Sequence, residues 1–328
     1  MGTRRIGPFT VTAIGLGCMN LSHAYGQPPG FEAARSLLLQ ALDRGVTLFD
    51  TAALYGFGAN EALVGEVLSP HRRHFTLASK CGMTGVDGKR VIDGRPATLK
   101  KTCDDSLKRL KTEVIDLYYL HRWDKRVPIE DSVGALSDLV RAGKVQAIGL
   151  SEVSADALRR AHAVHPIAAL QTEYSLWTRN PEIAVLEACR ELGTAFVAFS
   201  PLARGFLPGT LRDVATLDPK DIRRAMPRFA PEAYARNLRL ADALAALARE
   251  AGCTPAQLAL AWLLAQGEHI VPIPGTTNPR HLDDDLGAAD LRLPADVLAR
   301  AGTLVNRDTV AGARYNAATQ AEIDTEEF

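Results

Sequence analysis

The chain of 328 residues carries no surplus of charge, because 38 lysines and arginines balance 38 aspartates and glutamates. Without a net positive charge there is no bulk field to attract a nucleic acid or an anionic membrane, and neither is expected as a partner. No apolar run approaches the ~18 residues that a membrane-spanning helix requires. The first residues show no stretch of signal length either, so a cytoplasmic location is the expectation. Cysteine is sparse: Cys18, Cys81, Cys103, Cys189 and Cys253 are odd in number, far apart and without a CxxC pair, which points to free thiols in a reducing compartment. No GxGxxG turn follows an early strand candidate, which argues against an open, doubly wound sheet. A coordination shell is missing too. Asp283-Asp284-Asp285 reads as a solvated helix face and His71-Arg72-Arg73-His74 as a surface turn, so no metal is expected. A composition 47% hydrophobic and 23% charged excludes a disordered chain.

What is present is a regular alternation. Short apolar runs at 13–17, 46–50, 75–80, 115–121, 145–151, 169–173, 195–200 and 270–273 alternate with amphipathic stretches at 31–43, 61–68, 98–110, 129–142, 154–165 and 182–192. The strand candidates are mostly continuous apolar runs, as expected when helices cover a parallel sheet. Eight such units predict an α/β fold of the (β/α)8 barrel type, as a single domain over 1–328. Three features exceed the bare repeat. A proline-rich loop at 204–232 is expected over the barrel mouth, two helices at 234–251 and 255–266 precede the last strand, and a weakly periodic tail occupies 306–328.

The C-terminal strand ends of a barrel share one mouth, where active sites are built. There the chain places Asp50, Lys80, His121, Ser151-Glu152, Gln171-Thr172-Glu173 and Phe199-Ser200, with Tyr55 just beyond Asp50. Singly, each has an ordinary reading: Asp50 as a helix cap, Tyr55 as a loop aromatic, Lys80 as a surface lysine, His121 as a structural histidine. As a set they form a device for protonating a carbonyl oxygen. Lys80, held by Asp50, is expected to lower the pKa of Tyr55, while His121 offers an N–H to the substrate oxygen. A Schiff-base role for Lys80 is the rival, but it leaves Asp50 and Tyr55 idle. Tyr25, Leu54, Phe57, Met83 and Trp123 are the candidate substrate pocket, with Met226 and Phe229 positioned to close over it.

The motifs Gly15-Leu-Gly-Cys-Met19, Asp50-Thr-Ala-x-x-Tyr55-Gly, Ala78-Ser-Lys80, the run ending in His121, Gly149-Leu-Ser-Glu152, Phe199-Ser-Pro-Leu-Ala-Arg-Gly205 and Ile273-Pro-Gly-Thr276 resemble the aldo-keto reductase family along nearly the whole chain. The run from Arg160 to Arg179 is most similar to a branch holding perakine-reductase-like and auxin-induced-type proteins. The resemblance implies NADPH bound across the mouth and hydride transfer to an aldehyde or ketone, with Tyr55 as acid supported by Asp50, Lys80 and His121. It also implies a cofactor site. Gly17, Cys18 and Met19 open it, Ser151 and Gln171 hold the nicotinamide carboxamide near Asp50, and Phe199 stacks on the ring. Ser200, Pro201, Leu202, Arg204 and Gly205 follow the pyrophosphate. Ile273, Gly275, Thr276, Thr277, Arg280 and Asp285 surround the adenosine phosphate, at a helix N-terminus suited to an anion. Three departures stand out. Glu152 replaces the usual asparagine, Thr277 and Asn278 replace common lysine or arginine, and Asp285 replaces an asparagine near the adenine. Missing cations and an added carboxylate weaken the grip on a 2′-phosphate, so NADH stands as the alternative to NADPH. Some proteins of this fold sense nucleotide with little turnover; the intact set of four argues against that reading here.

Overall fold

The computed structural model describes every residue except Met1 and His23. Eight parallel strands follow one another around one sheet in chain order. They are β1 (Leu16–Gly17), β2 (Leu48–Asp50), β3 (Thr76–Cys81), β4 (Ile115–Leu120), β5 (Val145–Ser151), β6 (Ile167–Glu173), β7 (Ala195–Phe199) and β8 (Ile270–Pro272). The sheet closes on itself: the Gly15 and Gly17 amides donate to the carbonyls of Pro272 and Pro274, each at 3.0 Å. This is the (β/α)8 barrel that the alternation predicts.

The helices α1 (Phe31–Asp43), α2 (Ala59–Leu68), α3 (Pro96–Leu110), α4 (Ile129–Arg141), α5 (Ala155–Val164) and α6 (Val185–Leu192) follow the first six strands. Between β7 and β8 lie α7 (Pro231–Glu250) and α8 (Pro255–Ala265), the two helices expected there. α8 is buried on nearly every side because it packs on β8 with α7 and α9 (Pro279–Gly287) around it. α10 (Ala295–Leu304) and the short α11 (Ala317–Gln320) complete the chain.

Two hairpins escape the sequence reading. Thr3–Ile6 pairs with Phe9–Thr12 and plugs the bottom of the barrel, where Ile6 and Val11 join the inner core. It also shortens the first barrel strand, because Ala13 gives its amide to the carbonyl of Gly2. The second hairpin, Met83–Val86 with Lys89–Ile92, rises beside the mouth.

Side chains alternate along each strand, so every second residue enters the barrel. Leu48, Ala78, Leu117, Tyr119, Ala147, Ala169, Ala195, Val197 and Val271 make up the inner apolar core. Gly149 leaves room for one of them, since a Cβ there would lie 2.5 Å from the Tyr119 ring. One alternate position further along, the same strands present Asp50, Lys80, His121, Ser151, Gln171 and Phe199. The mouth chemistry is therefore the next inward layer above the core.

Residues 205–230 wind over the mouth through single turns at Val214–Thr216, Ile222–Ala225 and Pro227–Phe229. The tail folds against the barrel. The Asp324 amide donates to the carbonyl of Glu152 at 3.0 Å, and the carboxylates of Asp324 and Glu326 accept from Ser154 and from the Ala155 amide. These anions sit on the N-terminus of α5, where the helix dipole favours them.

Candidate active site

Lys80 is fully buried and Asp50 is 2% exposed, and they form an ion pair through Asp50 Oδ1. Lys80 Nζ also donates to the Thr51 carbonyl at 2.8 Å and to the Tyr55 hydroxyl at 3.2 Å. The other Asp50 oxygen accepts from Gln171 Nε2 at 2.7 Å. The His121 ring meets Tyr55 edge-on, with centroids 5.7 Å apart. Residues from four strand ends thus gather around one phenol, which the loop after β2 supplies. They face a cavity of about 890 Å³ whose wall includes Asp50, Tyr55, His121, Ser151 and Gln171.

The electrostatics correct one expectation. Burial pushes the Tyr55 hydroxyl above its ordinary pKa; Lys80 pulls it back, and Asp50 adds to the rise. Lys80 therefore moderates an upward shift and does not produce a net lowering. Burial would depress the Lys80 ammonium, but Asp50 and Tyr55 outweigh it and hold that pKa above normal. Burial likewise lifts the Asp50 carboxyl, against the pull of Lys80 and Gln171.

From Tyr55 the cavity runs along Gly17, Met19, Phe199, Ser200, Pro201, Leu202, Arg204 and Gly205 to Ile273, Gly275, Thr276, Thr277 and Asp285. Ser200, Ala203 and Arg204 hold left-handed backbone at φ of 49°, 51° and 57°, a strained conformation that concentrates at functional loops. Tyr25, Leu54 and Met83 line the same cavity, as does Met226 of the long loop.

Five candidates lie elsewhere. Trp123 turns away: its Nε1 donates to the Val127 carbonyl at 2.8 Å and Arg160 lies 5.8 Å over its ring. Phe57 is 52% exposed and packs over Gly85 of the mouth hairpin. Cys18 contributes its amide to the Asp50 carbonyl at 2.8 Å, while its side chain is buried in the outer core. Arg280, exposed in the first turn of α9, is not among the wall residues. Phe229 stacks on Tyr234 within the core. The acidic triplet is not one solvated face either: Asp283 pairs with Arg44 at the surface, whereas Asp285 is 3% exposed. Burial, reinforced by Asp284, raises the Asp285 carboxyl to about 8.

Several wall residues were not anticipated. Arg122 bonds the His121 carbonyl at 2.7 Å and Ser151 Oγ at 3.2 Å. Glu152 finds its partner in the tail, where Arg314 grips both its oxygens at 2.7 and 2.8 Å. Arg314 also reaches Glu173 at 3.3 Å, and Arg204 reaches the same carboxylate at 2.8 Å. Burial opposes ionisation of Glu173, but Arg204 and Arg314 prevail and hold it down at about 2. The Tyr315 hydroxyl joins this group, 3.0 Å from Arg204. Glu152, Glu173 and Arg204 stood out in the sequence as charged residues at the mouth, whereas Arg314 and Tyr315 of the tail did not.

The profile of the aldo/keto reductase family matches residues 13–305. The chain belongs to the aldo/keto reductase family. It is 45% identical over 311 residues to "Probable aldo-keto reductase 1" of Glycine max, covering 94% of this chain and 89% of that one. It is 42% identical to "Aldo-keto reductase yakc [NADP(+)]" of Schizosaccharomyces pombe, covering 95% and 94%. Among solved structures, the glycerol dehydrogenase AKR11B4 from Gluconobacter oxydans superimposes with a TM-score of 0.85 at 28% identity, over 95% of this chain and 97% of that one. This aldo/keto reductase is accordingly an oxidoreductase, and its barrel is the family's barrel.

Proposed function

We propose that the enzyme reduces a small aldehyde or ketone to the alcohol with a nicotinamide dinucleotide, using Tyr55 as the proton donor. The observation that carries this reading is the Tyr55 hydroxyl, 3.2 Å from the buried Lys80 ammonium and on the wall of the main cavity. A donor must hold its proton at neutral pH, and burial ensures that it does. It must also leave a tolerable anion, and the adjacent ammonium stabilises the phenolate as it forms. His121, on the same wall, is suited to orient the carbonyl oxygen toward Tyr55.

The residues present fit a dinucleotide along most of its length. Ser151 and Gln171 offer polar groups beside Phe199 for a carboxamide-bearing ring, and the Ser200–Gly205 loop with Arg204 suits a pyrophosphate. When bound, the reduced nicotinamide supplies the hydride that the protein cannot. NADPH is the first choice, consistent with the name of the fission-yeast relative. One observation favours NADH as the second reading: at the far end the wall carries Thr277, His281, Asp284 and Asp285, with no lysine or arginine. The chemistry of Lys80 argues against the Schiff-base alternative, because its three acceptors and raised pKa favour a non-nucleophilic ammonium.

The test is Tyr55→Phe, assayed by cofactor oxidation against a panel of aldehydes and ketones, with cofactor binding titrated separately for NADPH and NADH. Turnover should drop by ~10²–10⁴-fold while cofactor affinity stays within twofold. Undiminished turnover removes Tyr55 as the acid, and zero turnover in the unaltered enzyme with tight cofactor binding favours a sensor.

A further inference from the structure

The far end of the main cavity, away from Tyr55, lies between the start of α8 and the helix α9, with Thr254, Ala256, Thr276, His281 and Asp285 on its wall. Asp285 is 3% exposed. Among the described residues its carboxyl makes no hydrogen bond and no ion pair, and burial and Asp284 are the only influences on its charge. It is not sealed off, however, because its oxygens are not among the buried polar atoms that lack both partner and surface. What surface they keep opens into the cavity whose wall the residue forms.

A buried carboxylate ordinarily gathers donors or a cation. Around Asp285 the fold does the opposite. The residue sits in the last turn of α9, where the helix dipole disfavours an anion. Beside it, the Asp284 carboxylate is fixed by the Thr254 hydroxyl, 2.9 and 3.1 Å from its two oxygens, at the N-terminus of α8. No cation answers from the elements packed on α9. α8 carries no ionisable side chain, Gln40 of α1 and the adjoining Arg44 are taken by Asp283, and the turn Ala288–Asp290 ends in another acid. His281, one turn earlier on α9, is exposed to solvent. The carboxyl is accordingly raised to about 8, by burial first and Asp284 second, and at neutral pH it is mostly the acid.

A protonated carboxyl presents one O–H donor beside one carbonyl acceptor, whereas a carboxylate presents acceptors alone. Adenine carries the pattern complementary to the acid, an amino N–H beside a ring-nitrogen acceptor. Against the carboxylate, that ring nitrogen would meet lone pair with lone pair. With the nicotinamide at Tyr55 and Phe199, as in the reading above on which this inference rests, the other base of the dinucleotide falls at the Asp285 end. We propose that Asp285, as the neutral acid, holds the adenine through a paired donor and acceptor, and that the enzyme therefore binds its cofactor together with a proton.

The test uses ADP-ribose, which has the adenine but no nicotinamide, so that groups at the catalytic mouth do not contribute. Its binding to the full chain is measured calorimetrically from pH 6.5 to 9.5, and that of NADH in parallel. If only the acid form binds, affinity for both should fall by ~30-fold across that range as pH rises through 8. At pH 8.5, buffers of different ionisation enthalpy should show uptake of ~0.5–0.8 proton per ligand bound. Asp285→Asn keeps one donor and one acceptor without a titration: its affinity should match the parent at pH 6.5, stay level to pH 9.5, and involve no proton uptake. Asp285→Leu should bind ~5–10-fold more weakly at pH 6.5, through loss of two neutral hydrogen bonds. His281→Gln should keep the parent's pH dependence. A level profile in the parent, an equal fall in Asp285→Asn, or absence of proton uptake overturns the proposal and leaves the carbonyl-reductase reading intact. Failure of NADH, NADPH and ADP-ribose to bind at any pH overturns both.

Discussion

Asp50→Asn removes a charge from the mouth while keeping the side chain's shape. Lys80 then loses its carboxylate and keeps only neutral acceptors, the Thr51 carbonyl at 2.8 Å, the Tyr55 hydroxyl at 3.2 Å and the new amide oxygen, around a fully buried ammonium. Breaking a buried pair in this way costs ~3–5 kcal/mol, a large share of the ~5–15 kcal/mol that holds a domain together. The lysine's recourse is to lose its proton, because the burial that Asp50 and Tyr55 overcome together would then be opposed by Tyr55 without the carboxylate. The sign with pH follows. In the native enzyme the folded pKa of Lys80 lies above its unfolded value, so its stabilisation is complete below that unfolded value and is lost only in strong alkali. In the variant the folded pKa falls below the unfolded one. The unfolded chain then binds more protons between the two, and stability rises with pH across that window. Urea unfolding at pH 6.5 and pH 9.5 reads this directly. The variant should be several kcal/mol weaker at the lower pH, and the gap should narrow at the higher. Turnover should fall by at least ~10² as the phenolate loses its neighbouring cation. A variant within 1 kcal/mol of the parent at pH 6.5, or a gap that fails to narrow, refutes the claim that this pair sets the electrostatics of Tyr55.

Two further outcomes follow from buried carboxyls. Asp285, raised to about 8 by burial and Asp284, contributes stability that is present below its unfolded value near 4 and is lost as pH rises through 8. Asp285→Asn should therefore be nearly neutral in melting temperature at pH 5 and stabilising at pH 9; an equal shift at both would show that its ionisation is not linked to folding. Arg314→Met leaves Glu152 without a counter-charge, and the tail that Arg314 anchors should loosen by ~3–5 kcal/mol. Hydrogen exchange over 306–328 reports the loosening, and the double variant with Glu152→Gln should recover most of it, since no charge is then stranded.

The barrel and its mouth were legible because one rule governs both. Alternation puts Leu48, Ala78 and Tyr119 inside, and the same alternation carries Asp50, Lys80 and His121 to the rim, so a polar residue ending an apolar run marks the site before any geometry is known. The rule expires at the last strand residue. Trp123 and Phe57 lie beyond it, in turns whose local bonds set their direction, and both point away from the cavity. The mouth hairpin did carry a signal, Asp87-Gly88, and both residues adopt positive φ, 49° and 72°, as a tight hairpin turn requires. The tail carried none, because Arg314 sits in a segment with weak periodicity and its partners Glu152 and Glu173 close strands that are distant in the chain. Yet this distant group matters for the mouth. Glu173 holds Arg204 on one side and Arg314 on the other, so the loop that lines the main cavity is positioned by a residue from the far end of the chain. Period and propensity describe what each segment does with its immediate neighbours. A buried ion network depends on which charges the finished fold leaves uncompensated, and that is decided only when the tail reaches the barrel.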